Sequence, residues 1–162
     1  MTRLAGLALV LLAVPAGAKD DLGVFEDWGA FRDPGAGRCY AIAIPQQDRA
    51  VRDYAPYASV GTWPRRGVRG QVHIRLSRKL AASPAISLTL GGQRFRLTGG
   101  GGDAWAPDKG TDAAIVAAMR SAGSMAVSAT DTRGRRFTDR YSLSGAATAL
   151  DAASVGCARV RP

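Results

Sequence analysis

Few side chains in this sequence are equipped for chemistry, and their spacing decides what kind. His73 is the only histidine, so a multi-histidine metal site cannot form. Cys39 and Cys157 are the only cysteines, and they lack a Cys-x-x-Cys arrangement. They read as a structural disulfide, which also removes them as thiolate ligands for zinc. Glu26 is the only glutamate. It adjoins Asp27 on an expected strand, where neighbouring carboxylates face opposite ways and cannot flank one substrate bond. No Gly-x-Ser-x-Gly accompanies His73. The glycine run 99–102 leads into Asp103-Ala104-Trp105 rather than Gly-Lys-Ser/Thr, so it reads as a flexible connector and not a phosphate loop. Asp103, Asp108 and Asp112 fit no calcium-loop spacing. The expectation is a protein without catalytic residues, metal or cofactor.

Arginine is what remains. Arg75, Arg94, Arg96, Arg136 and Arg140 all take outward positions on expected strands, with His73 beside them. Brought together, they would form a positive sheet face whose planar forks suit phosphate or carboxylate. A second group, Tyr57, Trp63, Arg65 and Arg66, with Arg69 and Tyr54 close by, places cations beside aromatics and reads as a binding loop. The formal net charge of +9 agrees with an acidic partner, although the same charges also serve solubility.

These groups must be positioned by short strands. Twenty Gly, eight Pro and 7% aromatic residues imply many turns, and 46% apolar residues imply a folded core. Residues 23–32, carrying Val24, Phe25, Trp28 and Phe31, read as a first strand. The turn cluster 33–37 follows, and then a second strand over 39–44. Residues 46–56 read as a loop and 57–63 as a short strand. Residues 71–77 alternate, with Val72, Ile74 and Leu76 on one face and Gln71, His73, Arg75 and Ser77 on the other. Two short strands around Gly91-Gly92 form a hairpin, because Gly supplies the positive φ of a primed turn. A helix over 111–122 follows, capped by Thr111. Strands 124–130 and 135–143 form a further hairpin, in which Asp139 falls on the apolar side. A helix of small residues over 144–154 is capped by Ser144 and stopped by Gly156. The pattern predicts a mainly β fold: an antiparallel β-sandwich or small barrel with two short helices, the alternative being an open sheet with the helices on one face.

The first residues explain where such a protein works. Arg3 precedes an apolar run from Leu4 to Val14, Pro15 breaks it, and Ala16-Gly17-Ala18 supplies small residues at a cleavage site. The run is well short of the ~20 residues that cross a bilayer. Residues 1–18 therefore read as a cleavable signal peptide, and 19–162 as one β-rich domain without a membrane span. Export puts the two cysteines in an oxidising compartment. There the bridge would close a long loop, worth roughly 5 kcal/mol in the chain-entropy model. It also makes nucleic acid an unsuitable partner for the arginines.

Asp27-Trp28 on an early strand, Cys39-Tyr40 on its partner and Tyr141-Ser-Leu-Ser-Gly-Ala-Ala-Thr-Ala-Leu150 late in the chain together resemble the invasion-associated locus B family of exported proteins from Gram-negative bacteria. Phe31-Arg32 stands near where that family has its usual second cysteine. The resemblance implies a β-rich periplasmic or surface protein and carries no catalytic residues. The expected function is thus a non-enzymatic envelope or surface protein, periplasmic or secreted, with an anionic envelope component or another protein as partner. The alternatives are a periplasmic inhibitor of a wall-degrading enzyme and a periplasmic hydrolase.

Overall fold

A computed structural model describes residues 18–46 and 52–158. The signal-peptide reading, apart from Ala18, lies outside the described residues, as does the 47–51 part of the expected loop.

The described residues form one antiparallel run of ten strands: β1 (Asp20–Phe25), β2 (Trp28–Asp33), β3 (Arg38–Ala43), β4 (Tyr57–Trp63), β5 (Val68–Arg75), β6 (Ile86–Leu90), β7 (Gln93–Gly100), β8 (Asp103–Trp105), β9 (Ser124–Thr130) and β10 (Arg136–Ser142). Their order across the sheet is β1-β2-β3-β4-β5-β8-β7-β6-β9-β10. The expected mainly β fold with two short helices is borne out. The helices are α1 (Lys109–Met119) and α2 (Ala146–Ala158).

Strand β7 is the corner of the structure. Its first half, Gln93 to Leu97, pairs with β6, and its last residues, Thr98 to Gly100, pair with β8. The sheet therefore curls into two halves. It also turns back on itself at the far end, where Gln46 N–H donates to the Arg140 carbonyl at 2.8 Å and the Trp28 indole N–H donates to the Ser142 carbonyl at 2.9 Å. Period-two alternation supplies the interior. Val72 and Ile74 of β5, Ile86, Leu88 and Leu90 of β6, and Met125 and Val127 of β9 are buried in one cluster. Each is worth about 1.5–3 kcal/mol on full burial of such a side chain.

The helices cover what the strands leave open. The small face of α2 (Ala146, Ala149, Ala153) lies against β1 to β4, and α1 rests on β5. Cys157 of α2 is joined to Cys39 of β3 across 118 positions, as expected. Asp112 of α1 accepts the Val72 N–H at 2.8 Å, which satisfies a strand donor on β5 beyond its pairing with β8. Burial raises the Asp112 pKa above its ordinary 3.8, against the opposing pull of that N–H. A raised folded pKa means the native state holds this proton more tightly than the unfolded chain does. The contribution of Asp112 to stability is therefore fullest below pH 3.8 and is lost as pH rises through its raised value. Urea titrations should show wild type losing ground to Asp112→Asn as pH increases across that window; a pH-independent difference would refute the assignment.

Four expectations need correction. Residues 23–32 are not one strand: Glu26 adopts φ 53° and Glu26-Asp27 turns the chain between β1 and β2, so neither carboxylate lies on a strand. Residues 99–102 are not a loose connector. Gly99 and Gly100 complete β7, and a Cβ on Gly99 would stand 2.0 Å from the Asp103 carbonyl oxygen. The first helix begins at Lys109, because Asp108 rather than Thr111 caps it, accepting the Thr111 N–H at 2.7 Å. The last helix starts at Ala146 and runs through Gly156. Gly156 serves close packing instead of termination: a Cβ there would meet Leu22 of β1 at 2.5 Å. As for Asp139, the β9–β10 register is unbroken, and its buried carboxylate accepts the Ser77 N–H at 2.8 Å.

Candidate anion-binding face

The smaller half of the sheet, β7-β6-β9-β10, turns its apolar residues inward and presents the intervening ones to solvent. On one rung lie Arg94, Thr89, Ala126 and Arg140, and on the next Arg96, Ser87, Ser128 and Thr138. Arg136 stands opposite Thr130 on the same face. Arg94 and Arg140 are three strand spacings apart, about 14 Å between backbones. The four arginines are exposed. Between them the floor is small and hydroxyl-rich, with Ser128 Oγ and Thr138 Oγ1 hydrogen-bonded at 2.8 Å.

The electrostatics of this face are one-sided. No outward residue of these four strands is acidic, because Asp139, the one carboxylate in them, points into the core. The nearest acid along the chain, Asp131 in the β9–β10 turn, is engaged elsewhere. Its carboxylate takes the backbone N–H groups of Arg135 and Arg133 and pairs with the side chains of Arg135 and Arg78. The Arg135 N–H, followed by that of Arg133 and the Arg135 charge, holds Asp131 below the usual carboxylate range. Among the described residues, none of Arg94, Arg96, Arg136 and Arg140 pairs with a carboxylate.

Arg75 and His73 do not join this face. They sit on the outer side of the larger half, where β5 meets β8. His73 Nε2 lies 3.0 Å from Asp103 Oδ1, and Arg75 donates to Asp103 Oδ2. The Arg75 guanidinium lies 3.9 Å above the Tyr54 ring. His73 stacks on Trp105 at 5.1 Å and meets the edge of Tyr57 at 5.4 Å. One carboxylate and three aromatic rings thus engage two side chains that sequence reasoning assigned to an anion site. The alternation of β5 placed both on its polar side. The sequence carried no signal that β8, and with it Asp103 and Trp105, would be the neighbour.

The expected binding loop is likewise divided. Tyr57 and Trp63 lie at opposite ends of β4, about 20 Å apart along a strand. The Trp63 ring covers Gly61, where a Cβ would meet it at 2.7 Å. The Arg38 guanidinium lies 4.4 Å from the Tyr40 ring centre and 5.8 Å from that of Trp63. Arg65 and Arg66 belong to an exposed single-turn helix after β4. Among the described residues, no three His, Cys, Asp or Glu side chains gather as a metal site would require. No helix among them is long and apolar enough to cross a membrane. No protein-family model matches this chain, and no curated protein or solved structure is detectably similar to it.

Proposed function

We propose that this protein is a non-enzymatic, exported envelope protein that binds phosphate groups of anionic lipids through Arg94, Arg96, Arg136 and Arg140. The carrying observation is the acid-free face itself, with four exposed guanidiniums around Ser87, Thr89, Ala126, Ser128 and Thr138. Guanidinium forks bind phosphate bidentately, and the hydroxyls between them add donors. Arginines on both borders of the face allow several phosphates of one lipid surface to be engaged together. The leader-like residues 1–18 and the resemblance to invasion-associated locus B proteins support export to a compartment where such lipids are exposed.

Vesicle co-sedimentation tests this reading. The protein should bind phosphatidylglycerol vesicles and lipopolysaccharide but not phosphatidylcholine vesicles, and binding should fall steeply as salt rises toward 1 M, where the screening length is about 3 Å. The pair Arg94→Glu and Arg140→Glu should reduce binding at least 10-fold, whereas Arg65→Glu with Arg66→Glu should change it little. Binding that ignores salt, or that survives the first pair, would rule the face out.

A further inference from the structure

A concave site separate from the arginine face lies between the helices. Because α1 rests on β5 and α2 on β1 to β4, the inner sheet surface between them stays uncovered. The result is a cleft of about 530 Å³, within the ~300–1,000 Å³ typical of small-molecule sites. Its floor is Val60 of β4 and Gly70 of β5, and its walls are Val116 and Ala117 of α1 and Leu150 and Ala153 of α2. Small side chains on both helices keep the space open. The cations are at its border. Gly70 takes φ 65°, which interrupts the alternation of β5, and Arg69 lines the cleft. Among the described residues Arg69 is exposed and has no carboxylate partner. Arg120, at the end of α1, also lines the cleft and pairs with Asp151 of α2 at 2.7 Å, spanning from one helix to the other.

We infer that this cleft binds a single-chain anionic amphiphile of the fatty-acid class. The hydrocarbon tail would lie between α1 and α2, over Val60 and Gly70. The carboxylate would meet Arg69, with Arg120 able to share its remaining donors. The apolar walls explain affinity for a chain, and the cationic border explains the choice of an acid over a neutral lipid.

Calorimetric titration with sodium laurate, below its micelle concentration, and with 1-dodecanol decides the matter. The expected result is one laurate per protein, with 1-dodecanol at least 10-fold weaker. Arg69→Ser should weaken laurate about 10-fold and leave 1-dodecanol unchanged. Ala117→Trp or Val116→Trp should fill the cleft and abolish laurate binding in whichever variant keeps the wild-type circular dichroism; the Arg69 comparison stands even if neither does. The Arg94→Glu, Arg140→Glu protein should bind laurate as wild type does, so this site and the lipid-phosphate face fail or stand separately. Absence of laurate binding, equal affinity for the alcohol, or binding that survives a folded Trp variant would overturn the inference. So would self-association relieved by the Trp variants without laurate binding, which would assign the cleft to a second copy of the chain.

Discussion

Reducing the Cys39–Cys157 bond should cost about 2–5 kcal/mol of stability, the range for removing a native bridge from a small domain. Both sulfurs are buried, and the bond joins a strand of the curled sheet to the helix that covers it. Without it the unfolded chain regains the freedom of a loop spanning 118 positions. Urea unfolding with and without reductant would measure the loss. A Cys39→Ala, Cys157→Ala protein, which removes the bond without leaving thiols, should match the reduced wild type. The urea dependence should also steepen, because an uncrosslinked unfolded chain exposes more surface. Coincident midpoints for oxidised and reduced protein would mean that the bridge is ornamental.

Trp28→Ala should be comparably damaging, at about 3–5 kcal/mol for truncating a large buried aromatic. Trp28 is fully buried at the start of β2, and its indole N–H reaches the Ser142 carbonyl at the end of β10. It thus fills the interior where the first and last strands approach each other. Trp28→Phe separates the two contributions. It keeps most of the volume and loses the N–H, so it should cost less than Trp28→Ala, and about 0.5–1.5 kcal/mol of its own loss belongs to the hydrogen bond. Equal losses in the two variants would show that the bond, not the packing, matters here.

Much of the strand content was legible because alternation is local. Ile86, Leu88 and Leu90 opposite Ser87 and Thr89 declare a half-buried strand wherever that strand ends up. The same rule placed Arg94, Arg96, Arg136 and Arg140 outward, as observed. What alternation cannot reveal is adjacency between distant strands. The β6–β9 pairing that brings Arg94 to the same rung as Arg140 joins segments separated by a helix. The β5–β8 pairing that gives Arg75 to Asp103 involves a strand of three residues, too short to show a period. Local rules also erred where close packing overrode propensity. Gly156 lies within a helix, where its missing side chain leaves room for Leu22, and nothing near Gly156 in the chain announces Leu22. Asp139 looked out of place on an apolar face for a similar reason. Its partner, the Ser77 N–H, lies 62 positions away.

The position of α2 has a consequence for biosynthesis. A chain made from its N-terminus completes β1 to β4 long before the helix that covers their inner surface. At about 5–20 residues per second, the wait between Cys39 and Cys157 is on the order of 10 s. Throughout that interval Trp28, Ala30 and Ala41 belong to a surface without its lid, and Cys39 is a thiol without its partner. The bridge and the cover of the sheet can therefore form only once the chain is complete through α2, so maturation is an event of the finished polypeptide rather than of the emerging one.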